Sequence, residues 1–166
     1  AAITVASGNA LPLEIRLGEV SVTAADGELA VRDFADEPAR FVQAKGEGVQ
    51  VKAGESSRSL KAGETVAITR EGALRDATAD EAAQAFGWLD GKLVLRDVTV
   101  RDAMQDLYRW YGLDIAMRDT LTLDRKVTLE ATLESTKEVI AAMEASGQLK
   151  FEWVENRMTF KDGAKP

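Results

Sequence analysis

Apolar residues follow two different periods along the chain, and the change of period divides it. Up to about residue 77 they alternate with polar residues in short runs: Ile3-Thr4-Val5, Leu13-Glu14-Ile15-Arg16-Leu17, Val20-Ser21-Val22, Leu29-Ala30-Val31, Val49-Gln50-Val51 and Val66-Ala67-Ile68. Alternation with a period of two predicts half-buried strands. The dipeptide Gly-Glu recurs at 18–19, 27–28, 46–47, 54–55 and 63–64, and KAGE occurs twice, at 52–55 and 61–64. Glycine supplies the positive φ of a tight reversal and glutamate keeps the rim solvated, so the region reads as a hairpin stack or a short solenoid-like β unit. The stretch from 28 to 46, with Phe34, Pro38 and Phe41, interrupts the spacing, which argues against a strict repeat.

After residue 77 the period becomes helical. Thr78 with Glu81 three residues on predicts a capping box for a short Ala-rich helix through Phe86, which Gly87 stops. Trp88-Leu89-Asp90-Gly91-Lys92 follows as an apolar anchor and a turn. Two strand-helix-strand units come next. In the first, Leu93-Val94-Leu95 leads to a helix capped by Thr99 with Asp102. Its apolar stripe is Val100, Ala103, Met104, Leu107, Tyr108 and Tyr111; Gly112 ends it, and Leu113–Met117 is the return strand. In the second, Val127–Ala131 precedes a helix capped by Ser135 with Glu138. Val139, Ile140 and Met143 form its stripe, Gly147 is the stop, and Leu149–Trp153 returns. Met158-Thr159-Phe160 is a hairpin partner beyond a turn at Glu155-Asn156. The expected fold is therefore α+β: an all-β unit over 1–77, a linker helix over 78–87, a duplicated βαβ two-layer domain over 88–162 and a tail over 163–166.

Composition removes whole classes of function. The 166 residues contain neither cysteine nor histidine, so there is no disulfide framework or thiolate site, and the commonest general base and metal ligand are missing. A net charge of −7 without any Lys/Arg cluster argues against nucleic acid and against an anionic membrane surface. No apolar run approaches the roughly 20 residues that span a bilayer. The opening AAITVASGNA, without an initiator Met or a signal sequence, reads as the start of a fragment of a longer chain. Asp33, Asp36 and Glu37 lack the alternating oxygen ligands of a calcium loop and read as a solvated acidic loop. Asp76, Asp80 and Glu81 read as helix-start charges. Nothing in these patterns supports an enzyme, a cofactor or a direct small-molecule ligand.

The run from Trp88 through Phe160, beginning W-L-D-G-K-L-V-L-R-D-V-T-V, resembles the C-terminal periplasmic region of FecR-type transmembrane anti-sigma regulators. In that family a Trp-x-x-Gly-x-Leu segment precedes an amphipathic helix that ends in an aromatic pair. Leu60, Ala62, Gly63 and Glu64 match the Leu-x-Ala-Gly-Glu motif of the family's preceding β region. The resemblance implies a fold like the short N-terminal domain shared by secretins and TonB-dependent transporters. It also implies a role: a periplasmic receiver in a single-pass inner-membrane protein of a Gram-negative bacterium. That receiver docks the N-terminal signalling domain of an outer-membrane TonB-dependent siderophore transporter and relays the signal to an extracytoplasmic-function sigma factor through a cytoplasmic segment outside this chain.

A docking module needs an available strand edge and amphipathic anchors. The candidates are Tyr108, Trp110 and Tyr111 at the end of the first helix, and Leu149, Phe151, Trp153, Met158 and Phe160 on the last two strands. Against this stands the reading in which Tyr108 and Tyr111 complete the core and Trp110 covers its rim. Trp88, Gly112 and Gly147 are expected to be structural, Trp88 as a plug between the two regions. Two further functions compete: a secretin-like envelope scaffold, which would self-associate into rings, and a glycan-binding accessory module that stacks sugars on Trp88, Trp110 or Trp153.

Overall fold

The computed structural model describes residues 2–7, 12–25, 27–117, 120–154 and 157–163, and the chain divides into two compact units, Ala1–Phe86 and Gly87–Pro166. Its class is α+β. The Glu155-Asn156 turn and most of the expected tail lie outside the described residues.

The first unit contains the strands β1 (Ala2–Ser7), β2 (Leu13–Leu17), β3 (Val20–Ala24), β4 (Gly27–Arg32), β5 (Ala39–Ala44), β6 (Val49–Ala53), β7 (Ser56–Leu60), β8 (Thr65–Thr69) and β9 (Leu74–Asp76). All of their pairings are antiparallel. They form two sheets, in the orders β1-β4-β5-β8-β9 and β2-β3-β6-β7. Successive hairpins go alternately to one sheet and the other, so inward-facing Val22, Val49 and Val51 of one sheet meet Leu29, Val31, Val42 and Ile68 of the other in a single core. Three strands escape the simple alternation rule. β7 is Ser-Ser-Arg-Ser-Leu, an outer strand whose polar residues face water while only Leu60 is buried. β9 is short and also outermost. β5 lies inside the five-stranded sheet and is partly covered on both faces, which erases a clean period.

That second cover is the helix α1 (Ala79–Phe86), which packs on β4 and β5 within the first unit rather than standing apart as a linker. Ala30 and Ala67 are fully buried yet lie outside the inter-sheet core. α1 starts with a reciprocal capping box: Glu81 N–H donates to Thr78 Oγ1 (3.2 Å), and Thr78 N–H to the Glu81 carboxylate (2.9 Å). The same carboxylate pairs with the Arg75 guanidinium at 2.5 Å. Chiefly through the hydrogen bond from Arg75, the Glu81 pKa falls from 4.5 to about 2. A carboxylate depressed in the folded state adds stability that is complete above its unfolded value and lost as pH falls through the folded one. Thermal stability should therefore decline between about pH 4.5 and 2, and Glu81→Gln should flatten that decline. An unchanged pH profile in the variant would assign the acid sensitivity to other carboxylates.

The second unit contains β10 (Lys92–Thr99), α2 (Val100–Tyr111), β11 (Ile115–Met117), β12 (Lys126–Thr132), α3 (Thr136–Gly147), β13 (Leu149–Val154) and β14 (Arg157–Asp162), with short 3-10 turns at Gly87–Asp90 and Thr120–Thr122. Strand, helix and strand follow one another twice, but the strands of each set separate. β10 pairs antiparallel with β12, and β11 pairs parallel with β14, which pairs antiparallel with β13. In place of the expected duplicated βαβ, the two strand-helix-strand sets interleave. Each helix returns the chain to the other sheet, because neither two-stranded set could bury its apolar face alone. One core joins all the elements, including Leu95, Leu107, Leu129, Val139, Met143, Leu149 and Phe160.

The helix ends separate two uses of glycine. Gly112 takes the left-handed conformation (φ 68°) that closes α2, its N–H reaching the carbonyls of Leu107 and Tyr108. Gly147 is different. The left-handed residue after α3 is Gln148 (φ 50°), whereas a Cβ on Gly147 would come within 2.9 Å of Leu149 and 3.2 Å of Val127. Gly147 is required by close packing, not by the turn.

Candidate functional site

The candidate residues lie at a helix end and on the last two strands, so the site to build is a surface. α2 exists because Thr99 accepts the Asp102 N–H (3.1 Å), and its buried stripe is Val100, Ala103 and Leu107, with Met104 and Tyr111 partly covered. Tyr108 does not join them. It is 65% exposed, which corrects its place in the expected apolar stripe. Tyr111 anchors its ring against the core and donates its hydroxyl to the Thr132 carbonyl at 2.8 Å; burial pushes its phenol pKa up, so the donor is retained. Trp110 packs against the core edge and stacks on Trp88, with centroids 6.0 Å apart and planes 24° from parallel. The expected aromatic cluster therefore splits: Trp110 and Tyr111 engage the unit's own core, and Tyr108 points to solvent.

The last two strands also separate their residues by role. β14 is the middle strand of its sheet, so Met158 and Phe160 cannot present a free edge; Phe160 is fully buried and Met158 packs against the core. β13 is outermost. Along it Leu149 is buried, Phe151 is half-buried between Phe160 (5.8 Å) and Trp153 (6.3 Å), and Trp153 itself is 62% exposed. Trp153 continues the inward-facing row past the point where the core ends. Among the described residues, Tyr108 and Trp153 are the large apolar side chains left in solvent.

Two other strand edges are closed by side chains. Near the β10 bulge, where Asp97 adopts φ 52°, the Asp97 N–H donates to Thr128 Oγ1. On the opposite side of β12, Ser146 of α3 accepts the Thr128 N–H and donates to the Thr128 carbonyl, both at 2.8 Å. On β13, the Phe151 N–H donates to the Glu144 carboxylate at 2.7 Å. A hydroxyl and a carboxylate thus occupy backbone groups that a further strand would use. Sequence reading missed both: Ser146 lies 18 residues from Thr128, and Glu144, though only seven from Phe151, reads as one more exposed charge of the helix.

The acidic loop after β4 is not solvated as expected. Arg32, only 6% exposed, holds the Glu37 carboxylate with contacts down to 2.6 Å and lies 5.0 Å over the Phe34 ring. Asp33 pairs with Arg40 (3.2 Å) and Arg70 (2.9 Å), while Arg70 also donates to the carbonyls of Glu37 and Phe34. The Asp33 and Glu37 carboxylates are thus committed to arginines. A shallow cavity of about 340 Å³ in the second unit, lined by Asp90, Lys92, Glu130, Thr132 and Glu138, has its Glu130 paired with Lys92 at 2.6 Å. No group of three or more potential ligand side chains that could hold a metal occurs among the described residues. No described helix is long and apolar enough to cross a membrane.

Two crystal structures of a proposed anti-sigma factor from Parabacteroides distasonis ATCC 8503 share this fold. One superposes with a TM-score of 0.72 over 91% of this chain and 71% of its own; the other scores 0.75 over 95% and 74%; each is 20% identical in sequence. No curated protein sequence matches the chain. Residues 92–160, from β10 into β14, match the family described as FecR, C-terminal. FecR C-terminal domains are generally periplasmic, and theirs is not a family of enzymes. The match falls within the second unit, on the run from Trp88 to Phe160 that resembles the C-terminal region of FecR-type regulators.

Proposed function

We propose that this chain is the periplasmic receiver of a FecR-type sigma regulator, which docks the N-terminal signalling domain of an outer-membrane TonB-dependent siderophore transporter. It passes the signal to an extracytoplasmic-function sigma factor through a segment outside this chain. The observation that carries the docking is Trp153: an indole 62% exposed, on an outer strand, in the domain that matches FecR. An amphipathic ring on an outer strand is a usual anchor for a partner, and Glu144 would have to release the Phe151 N–H for a strand to be added there. The anti-sigma description of the structural neighbours agrees with a signalling role.

Isothermal titration against the signalling domain of the transporter encoded beside it is the test. Saturable 1:1 binding is expected, with Trp153→Ala weakening it by at least about 1 kcal/mol at an unchanged melting temperature. Trp110→Ala should do the reverse and lower the melting temperature, because it breaks the stack on Trp88. No binding by a well-folded chain would refute the receiver role; binding unaffected by Trp153→Ala would move the docking surface elsewhere.

A further inference from the structure

β13 is complementary to itself. Its sequence Leu149-Lys150-Phe151-Glu152-Trp153 reads, about Phe151, as an apolar residue, a base, an aromatic ring, an acid and an apolar residue. Were two copies of this strand to run antiparallel with Phe151 opposite Phe151, each Lys150 would face the Glu152 of the other copy on one side of the sheet. On the opposite side each Leu149 would face a Trp153. Opposite charges across an antiparallel pair stabilise it, and like charges oppose it. Only the antiparallel arrangement is available to identical strands related by a two-fold axis.

The backbone fits the same register. The Phe151 N–H turns away from β14, since it donates to Glu144. The open side of β13 is therefore the side on which Leu149, Phe151 and Trp153 present their peptide groups. Trp153, exposed in the single chain, would lie over the Leu149 end of the second copy.

Glu144 marks how this edge is controlled. It stands in the last turn of α3, where no basic residue is present and where the helix dipole disfavours a negative charge. Its carboxylate instead accepts the Phe151 N–H (2.7 Å) and pairs with Lys150 (3.6 Å), the two groups at the centre of the self-complementary register.

We propose that β13 is a homodimerisation edge, pairing antiparallel with β13 of a second copy about Phe151, and that Glu144 is its latch, exchanged for the Phe151 carbonyl of that copy. A second copy on this edge would compete with the docking proposed for Trp153, but the pairing itself needs no other partner. A two-fold strand pairing also closes at the dimer, unlike the rings of an envelope scaffold.

Sedimentation equilibrium of the chain alone tests it. Glu144→Ala should tighten self-association by about tenfold or more, because the competing charge-assisted hydrogen bond is gone. Lys150→Glu and Glu152→Lys, each alone, set like charges opposite one another and should remain monomeric. An equimolar mixture of these two variants should form a heterodimer, since every cross-strand pair is then of opposite sign. Circular dichroism confirms that each variant is folded. Glu144→Ala no more associated than the unaltered chain, or a mixture that stays monomeric, would overturn the proposal. The transporter is absent from the experiment, so its outcome leaves the receiver role to its own titration.

Discussion

Phe160→Ala is expected to destabilise the second unit by about 3–5 kcal/mol, the usual cost of removing a fully buried aromatic ring. Phe160 is completely buried on the middle strand of the β11-β14-β13 sheet, and its ring meets Phe151 edge-on at 5.8 Å. Strands on both sides and helices above leave little freedom to collapse into the void. All three tryptophans, Trp88, Trp110 and Trp153, belong to the second unit, so denaturant unfolding followed by tryptophan fluorescence reports on this unit. A loss below about 1 kcal/mol would mean that the surrounding side chains refill the site. Phe160 was a candidate contact by sequence; the structure buries it against Phe151, and any loss of docking in the variant would follow from loss of folding.

The second large effect is expected in the first unit. Glu37→Ala should cost about 3 kcal/mol, because it removes the bidentate carboxylate from a guanidinium that is almost wholly buried. Arg32 sits at the end of β4 with 7% of its side chain exposed, and Glu37 with 17%. The loop also binds Arg70 through its carbonyls, so its loss should loosen the β4-β5 hairpin. Far-UV circular dichroism during denaturation is the measurement. The double variant Arg32→Met with Glu37→Leu should recover much of the stability, since apolar side chains replace both members of the buried pair. If Glu37→Ala proved neutral, water would have to reach Arg32 in place of the carboxylate.

Features with local causes were legible in the sequence. The capping boxes at Thr78/Glu81 and Thr99/Asp102 lie within one helical turn, so their residues are near neighbours by sequence and by structure. The same holds for the left-handed close at Gly112, the alternating strands of the first unit and the change of period near residue 77. Gly147 shows where such reasoning stops. A glycine at a helix end predicts a left-handed cap, yet that conformation falls on Gln148, and a side chain at Gly147 would press on Leu149 and on Val127, the latter distant along the chain.

The two KAGE segments carry the same lesson for turns. In the first, Gly54 (φ 57°) begins the two-residue turn between β6 and β7. In the second, Gly63 (φ 86°) is the third residue of a reversal closed by Glu64 N–H to the Lys61 carbonyl, where the chain passes from one sheet to the other. Four identical residues serve as a hairpin within a sheet and as a corner between sheets. Glycine permits positive φ in both; the course of the chain beyond each turn depends on which strand finds a partner.

The sequence by itself determined the two periods, the helix starts, the class of fold and the absence of histidine and cysteine chemistry, because each depends on residue types or on neighbours a turn apart. Only the tertiary structure decided that the strand-helix-strand units interleave, that Tyr108 faces water while Phe160 is sealed, that arginines take the acidic loop, and that Glu144 reaches the edge of β13. The first two depend on burial of a core shared by residues far apart in the chain, and the last two on how a helix or hairpin end folds back, which residue types alone do not fix.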